Sequence, residues 1–277
     1  MYIAIDIGGT KTHIASFKSL DPKSMIGEIA YPTEQNFKKG YTLLVSHIEK
    51  LKGRGKLAGI GVAVAALIRN SSVLMATNLR DWEGEKLYIK LKEKFKTQVL
   101  MRQDSECSGL AEAAFGKIRN YNRMLHITLG TGLGNSFIWS DHGSFEAIPM
   151  EMGEMIIEPE GKKHNRYKTR GFLESYVSGA NLELNVNKKL SMLSNNDKTW
   201  DMVAKYLAIG IHNVVILLRP EVVVLGGGMI EKRPQLLPKV KKEIEKYKES
   251  LIDIPKVLKT SVNGNTALLG TLVLFKK

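Results

Sequence analysis

The chain alternates between two patterns of hydrophobic and polar residues. Short runs rich in Ile, Val and Ala are typical of buried strands, whereas longer stretches with apolar residues three or four positions apart are typical of helices. Their alternation predicts a mixed α/β protein. We predict strands at 2–7, 13–18, 26–32, 58–65, 98–102, 124–129, 134–140 and 221–225, and helices at 37–53, 83–96, 105–116, 171–190, 198–218, 234–250 and 265–275.

A glycine turn follows the first apolar run. The run contains Asp6, and the turn consists of Gly8, Gly9, Thr10 and Lys11. The two glycines let backbone N–H groups approach a ligand closely, and the next two residues add a hydroxyl and a positive charge. The Asp6 carboxylate at the strand end suits a hydrated Mg²⁺ ion. The stretch predicts a cradle for nucleotide phosphates, although an ordinary Gly-Gly hairpin would show the same pattern.

The strand–turn–strand pattern recurs in the second half, with Gly130, Thr131 and Gly132 in the turn. Two such units suggest two similar half-domains that each offer a backbone loop to the same polyphosphate. Neither turn has the spacing of a Walker A loop or of a Rossmann fingerprint.

A third glycine turn ends the apolar run at 222–225 and contains Gly226, Gly227 and Gly228. A flat ring such as adenine could lie against this backbone. An ordinary strand-to-helix turn is the alternative, because a β-branched run with a glycine stop is in itself only a strand signal.

Three motifs together resemble those of the ROK family of sugar kinases and sugar-responsive repressors, within the actin-like ATPase superfamily. They are DIGGTK at 6–11, LGTGLG at 129–134 and VVVLGGGMI at 222–230. The resemblance implies a two-domain actin-like ATPase (ribonuclease H-like) fold with an interdomain cleft, ATP and Mg²⁺ as cofactors, and a homodimer. The expected domains are 1–117 and a nucleotide-binding and dimerisation domain at 118–264, with a final helix at about 265–277 packing back on the first.

Composition suits a cytoplasmic enzyme. The 277 residues are 43% hydrophobic, which is enough for two ordinary domains. No apolar stretch approaches the ~18–20 residues of a membrane span, and no signal layout precedes the first strand, so we expect no membrane contact. The single cysteine, Cys107, excludes an intrachain disulfide.

The net charge of +13 favours an anionic ligand such as ATP. The lysines are spread through helical segments, which is typical of a solvated surface. The ROK repressors carry an added N-terminal DNA-binding domain, for which a first strand beginning at residue 2 leaves no room. We therefore expect no nucleic-acid partner.

Asp104 matches the catalytic Asp of the family's Asn-Asp-Ala pattern. The resemblance implies that its carboxylate accepts the proton of a sugar hydroxyl as that hydroxyl attacks the γ-phosphate. The alternative is a cap of the helix predicted at 105–116, because Asp is a favoured N-cap. Gln103 stands in the place of the family's Asn and keeps the amide groups that a sugar contact needs.

The resemblance also implies that several side chains bind the sugar. Glu151 lies where the family has Glu-Ile-Gly-His, and Glu174 where it has Arg-Gly-Cys-Leu-Glu. Asn78 lies in a stretch that resembles the family's Asn-Leu-x-x-Trp. The alternatives are a surface position for each Glu and a turn for the Asn.

The largest departure from the family concerns a structural Zn²⁺ ion. Its His position is taken by Glu154, and its three Cys positions by Asn165, Tyr167 and Phe172. No thiolate remains, so we expect no zinc site. His164 is expected at the surface. The family's His also contacts the sugar, and we therefore assign Glu154 to the sugar site.

The sequence thus predicts an ATP-dependent kinase that phosphorylates the 6-hydroxyl of a hexose or N-acetylhexosamine. Departures at 154 and 61–66 from the glucokinase pattern favour N-acetylmannosamine. The alternatives are a glucokinase or broad hexokinase, a non-catalytic sugar-sensing protein of the same family, and an ATP-hydrolysing relative of actin that has no sugar pocket.

Overall fold

The computed structural model describes residues 1–69, 72–76, 79–141, 143–250 and 253–276. The chain forms two compact units. Unit 1 contains 1–117, 141–147 and 262–277, and unit 2 contains 118–140 and 148–261.

Strands and helices alternate through most of the chain. The strands are β1 (Tyr2–Ile7), β2 (Lys11–Phe17), β3 (Met25–Pro32), β4 (Gly59–Val64), β5 (Leu67–Arg69), β6 (Ser72–Met75), β7 (Val99–Gln103), β8 (Arg123–Leu129), β9 (Leu133–Asp141), β10 (Ser144–Pro149), β11 (Val222–Gly226) and β12 (Lys256–Lys259). The helices are α1 (Phe37–Lys52), α2 (Leu87–Phe95), α3 (Asp104–Phe115), α4 (Glu174–Val177), α5 (Gly179–Val186), α6 (Thr199–Leu218), α7 (Gly228–Lys232), α8 (Leu236–Ile244) and α9 (Thr266–Val273).

Unit 1 is built on a sheet with the strand order β3-β2-β1-β4-β7. β1 pairs antiparallel with β2 and parallel with β4. Because side chains alternate along a strand, Ile3 and Ile5 share one core with Leu44 of α1, whereas Ala4 lies in a second core with Leu268 of α9. α9 packs against α3 and β1, which fixes the end of β1 that carries Asp6.

Unit 2 contains β8, β11, β12 and β9 up to Ser140, in the sheet order β9-β8-β11-β12. β8 and β9 form an antiparallel hairpin, and β11 runs parallel to β8. Leu125 and Ile127 of β8 share a core with Leu207 and Ile211 of α6. The parallel pairing brings the turns after β8 and β11 to the same edge of the sheet, since both turns follow the carboxyl ends of their strands.

Helix α6 corrects the expectation that no apolar stretch is as long as a membrane span. It has 20 residues and is long and apolar enough to cross a membrane. Its Val203, Leu207 and Ile211 are fully buried in the core of unit 2. Burial in this core accounts for part of its apolar composition, whereas Ile216, Leu217 and Leu218 at its C-terminal end are exposed.

Candidate active site

The segment that follows β3 holds the turn between β1 and β2 in place by hydrogen bonds. The Thr33 backbone N–H donates to the Thr10 carbonyl at 3.0 Å, and the Thr33 hydroxyl donates to the Gly8 carbonyl at 2.7 Å. The Gln35 amide donates to the Gly9 carbonyl at 3.0 Å. Thr33 and Gln35 are absent from the sequence prediction, because no local pattern shows that their segment reaches the turn.

Asp6 is held by the C-terminal helix of unit 1. Asn265 is the N-cap of α9, with its Oδ1 accepting from the Leu268 N–H at 3.0 Å. This orients the Asn265 amide to donate to Asp6 Oδ2 at 2.7 Å. Burial raises the pKa of Asp6, and the Asn265 bond and the charge of His13 oppose that rise. A single carboxylate of this kind fits Mg²⁺, which usually keeps several waters and binds substrate phosphates.

Asp104 is the first residue of α3, and the cap itself is Gln103. Gln103 and Glu106 form a reciprocal capping box, in which the Gln103 N–H donates to Glu106 Oε2 at 3.1 Å. The reading of Asp104 as the N-cap is therefore wrong. Asp104 Oδ1 accepts from the Ser105 N–H at 2.8 Å, which places the carboxylate at the positive end of the helix dipole.

Unit 1 places Asp6 and Asp104 within electrostatic reach of one buried thiol. Burial raises the pKa of Cys107 well above its usual value, and the charges of Glu106, Asp104 and Asp6 raise it further. Asp6 and Asp104 are thus both close enough to Cys107 to raise the pKa of its thiol.

The turn between β8 and β9 is tied to the start of α5. The Gly130 N–H donates to the Gly132 carbonyl at 3.0 Å, which closes the turn. The Gly179 N–H donates to the Gly130 carbonyl at 2.9 Å, and the Ala180 N–H to the Thr131 carbonyl at 3.0 Å. The carbonyls of the turn are thereby occupied, and its position relative to α5 is fixed.

The turn after β11 requires glycine at one position. Gly227 has φ +88° and ψ 164°, a conformation that is essentially restricted to glycine. A Cβ atom there would lie 2.4 Å from the Leu129 carbonyl oxygen, whereas a Cβ at Gly228 would meet nothing within 4 Å. The turn therefore passes directly against the end of β8.

A cavity of about 490 Å³ lies in unit 2. Its wall includes Arg233, whose guanidinium lies 5.0 Å from the centroid of the Trp200 ring. The structure thus brings three of the predicted nucleotide residues, Gly130, Thr131 and Gly228, to one cavity, together with residues that no sequence motif indicated. The lining residues are Gly130, Thr131, Gly179, Ala180, Glu183, Leu190, Ser191, Trp200, Gly228, Met229, Lys232 and Arg233.

Glu174 is the first residue of α4 and is 5% exposed. Its Oε1 accepts from the Leu133 N–H at 3.0 Å. Its Oε2 accepts from His164 Nε2 and from Arg166 Nη2, both at 2.8 Å. The expectation that His164 lies at the surface is wrong, because its side chain has no exposed area. A lone His with no periodic apolar neighbours carries no signal of burial in the sequence.

Glu151 is the N-cap of the short 3-10 turn Met152–Glu154, which ends at Glu154, and both glutamates are exposed. The Tyr167 hydroxyl is hydrogen-bonded to Glu154, and burial, this bond and the nearby negative charges raise the pKa of Tyr167. Tyr167 also stacks on His164, with ring centroids 5.0 Å apart. Glu154 and Glu174 are therefore connected through the segment at 164–167. Asn78, the remaining predicted ligand, lies outside the described residues.

Aromatic packing occupies the positions that correspond to the family's zinc ligands. The Phe172 ring meets Tyr167 edge-on at 5.7 Å and His164 edge-on at 5.6 Å. The Asn165 N–H donates to Asn181 Oδ1 at 2.8 Å. In the part of the chain that the structure describes, no group of three or more His, Cys, Asp or Glu side chains could hold a metal ion. The donor set at these positions lacks thiolates and does not fit structural zinc.

Comparison with known proteins connects this geometry to one family. The model of the ROK family matches residues 2–277. An N-acetyl-D-glucosamine kinase from Photobacterium profundum is 26% identical over 94% of this chain and 94% of that protein. A ROK family glucokinase from Streptomyces griseus, solved with glucose and AMPPNP, superimposes with a TM-score of 0.77 at 20% identity, covering 99% of this chain and 98% of that one.

A repressor is also similar. The xylose repressor of Bacillus subtilis is 25% identical over 77% of this chain, and the chain spans 60% of the length of that repressor. The structural match confirms the predicted α/β fold of the actin-like ATPase type.

Proposed function

The chain belongs to the ROK family, and on that premise we propose that it is an ATP-dependent sugar kinase acting on the 6-hydroxyl of a hexose or N-acetylhexosamine. The observation that carries the proposal is the place of Asp104 at the start of α3, where the capping role falls to Gln103. A carboxylate that the Ser105 N–H holds at the N-terminus of a helix is positioned to act on a substrate.

Asp104 is the general base. Its carboxylate accepts the proton of the sugar hydroxyl as the oxygen attacks the γ-phosphate, and it aligns that oxygen with the leaving group. The bond from the Ser105 N–H to Oδ1 holds this carboxylate at the start of α3, where it faces the positive end of the helix dipole.

ATP uses the cavity of unit 2 for its adenosine, beside Gly226, Gly227 and Gly228. Its phosphates are cradled by two turns, one with Gly130, Thr131 and Gly132 and the other with Gly8, Gly9, Thr10 and Lys11. Asp6 would hold Mg²⁺ through water, and a bound ion would supply positive charge to the phosphate that is transferred. The net charge of +13 favours such an anionic ligand.

The sugar is bound by Glu151, Glu154 and Glu174 of unit 2, together with Gln103. Ionised carboxylates accept hydrogen bonds and therefore favour a sugar that presents hydroxyl or amide N–H donors to them. We favour N-acetylmannosamine, because Glu154 and the stretch at 61–66 depart from the glucokinase pattern. A glucokinase or broad hexokinase is the alternative, supported by the glucose-bound structural relative.

A sugar-sensing protein without catalysis is the second candidate function, favoured by the similarity to the xylose repressor. Such a protein would bind a sugar and release no ADP. A homodimer and a cytoplasmic location complete the proposal, and the one cysteine, Cys107, is buried as a thiol.

Substitution of Asp104→Asn tests the proposal, with Asp21→Asn as a matched control. Asp21 lies in unit 1 and its Oδ1 accepts from the Lys23 N–H at 2.9 Å, a bond that an Asn side chain can keep. Asp104→Asn should lower turnover by roughly 10²–10⁴, the usual contribution of a positioned base, and leave calorimetric sugar binding in place. Near-normal turnover would remove Asp104 from the mechanism. Sugar binding by a wild-type protein that releases no ADP would favour the sensor.

A further inference from the structure

The hydrogen bonds of His164 fix its tautomer. Its Nδ1 accepts from the backbone N–H of Arg166 at 3.1 Å and from the backbone N–H of Tyr167 at 3.3 Å. A ring nitrogen that accepts these bonds carries no proton, so the proton of the neutral ring is on Nε2. Nε2 is therefore the donor in the 2.8 Å bond to Glu174 Oε2.

Aromatic neighbours fix the orientation of the same ring. Tyr167 stacks on it at an interplanar angle of 25°, and Phe172 meets it edge-on at 78°. The His164 side chain has no exposed area, so water does not compete for its N–H group. Arg166, the other side-chain donor to Glu174 Oε2, is 35% exposed and is open to such competition. His164 is thus the more firmly placed of the two donors.

Glu174 also touches the predicted phosphate turn. Its Oε1 accepts from the Leu133 N–H, directly after the turn, and a Cβ atom at Gly132 would come within 2.9 Å of that oxygen. A shift of the Glu174 carboxylate would leave either the Leu133 N–H or the His164 N–H without a partner inside the protein. Both are buried, so that loss would be costly.

We propose that His164 is a positioning residue for the sugar site: its Nε2–H holds the Glu174 carboxylate in the one orientation from which that carboxylate binds a sugar hydroxyl. The inference rests on the proposed function, in which Glu174 is a sugar ligand. His164 acts through Glu174 and does not contact the substrate. The aromatic rings of Tyr167 and Phe172 supply the rigidity that the donor needs, in a segment whose residues do not fit zinc.

Two substitutions at His164 separate the hydrogen bond from the packing. His164→Phe keeps a ring between Tyr167 and Phe172 but removes both the Nε2–H donor and the Nδ1 acceptor. His164→Gln loses the ring but keeps an N–H donor at the position of Nε2. His212→Phe is the control, because it makes the same change in unit 2 at a ring bonded to Ser250. Each protein is assayed for the KM of N-acetyl-D-mannosamine, of D-glucose and of ATP, and for its melting temperature.

His164→Phe should raise the KM of the sugar that the wild type phosphorylates by roughly tenfold to a hundredfold, the usual effect of losing a bond to a charged group. The KM of ATP should change much less. His164→Gln should recover most of the sugar affinity even if it melts lower, and His212→Phe should keep both KM values. A wild-type sugar KM in His164→Phe would overturn the inference. Equal increases in both KM values, without recovery in His164→Gln, would also overturn it by indicating a merely structural role.

Calorimetry distinguishes this failure from failure of the proposed function. If the wild type phosphorylates neither sugar, the kinase proposal fails. The inference is then decided by the dissociation constants of both sugars for the same four proteins. It predicts weaker sugar binding in His164→Phe, recovery in His164→Gln and no change in His212→Phe. Absence of any sugar binding would overturn the inference as well. Long-range proton–nitrogen spectra of protein labelled with ¹⁵N-histidine should show a proton on Nε2 of His164, identified by its absence in His164→Phe. A proton on Nδ1 would contradict the proposed geometry.

Discussion

Substitution of Gly227→Ala should destabilise unit 2, whereas Gly228→Ala should not. The two glycines are adjacent and both belong to the predicted nucleotide turn. At Gly227, φ is +88° and an added Cβ would lie 2.4 Å from the oxygen and 2.8 Å from the nitrogen of Leu129. At Gly228, an added Cβ would meet nothing within 4 Å, and the residue opens α7 in ordinary helical geometry.

The magnitude follows from two costs at Gly227. Alanine in this backbone region costs about 1–3 kcal/mol. The contact with the backbone of β8, which cannot rotate away as a side chain could, adds overpacking of about 1–3 kcal/mol. The sum of about 2–6 kcal/mol corresponds to a melting temperature lower by roughly 3–10 °C for a protein of 277 residues. Gly228→Ala carries neither cost, and it gains slightly from a less flexible unfolded chain.

Thermal unfolding without ligand, followed by circular dichroism, measures the melting temperature of each variant. Titration with AMPPNP measures the affinity of each variant for the nucleotide. Gly228 lines the cavity, so its added methyl group should weaken AMPPNP binding while leaving the melting temperature unchanged or slightly raised. Equal melting temperatures for the two variants would refute the backbone argument. Unchanged AMPPNP affinity in Gly228→Ala would refute the placement of adenosine at this turn.

Three further predictions concern pH, the sugar and metal ions. Burial lowers the pKa of His126 from 6.5 to about 4. The unfolded chain therefore binds more protons below pH 6.5, and the wild type should lose about 2 kcal/mol of stability between pH 7.5 and 5 that His126→Leu does not lose, as urea unfolding at both pH values will show. Glu154→Gln should lower kcat/KM for the sugar roughly tenfold to a hundredfold with little change in the KM of ATP; wild-type behaviour on every sugar would mean that Glu154 points away from the pocket. Elemental analysis should find no stoichiometric zinc and EDTA should leave the melting temperature unchanged, whereas activity should vanish without Mg²⁺; one zinc per chain would contradict this account of 154–172.

The sequence predicts the regular parts of the fold well where hydrophobic periodicity is strong. β1 has the predicted bounds, and α6 begins one residue after its predicted start. In both segments the spacing of the apolar residues fits only one kind of element. The helix predicted at 171–190 is instead divided at Ser178 into α4 and α5. There the Gly179 N–H bonds to the Gly130 carbonyl, a contact with a distant turn that local periodicity does not contain.

In the candidate site, too, local patterns are predictable from the sequence and contacts between distant residues are not. Glycine turns are visible in the sequence because they combine a residue type with a strand end. The ring of His164 between Tyr167 and Phe172, and its bond to Glu174, depend on how the loop folds over α4, and no spacing reveals them. The sequence also does not predict short strands with polar ends, such as β12, because four residues are too few to show an apolar pattern.

Sugar-dependent release of ADP tests the central claim most directly. Wild-type protein with ATP and Mg²⁺ is offered D-glucose, N-acetyl-D-glucosamine, N-acetyl-D-mannosamine or no sugar, and the product is examined by ³¹P NMR. We expect ADP release well above the sugar-free control with at least one of these sugars, a phosphate on its 6-hydroxyl, and loss of both in Asp104→Asn. ADP release that is the same with and without every sugar would contradict the kinase assignment.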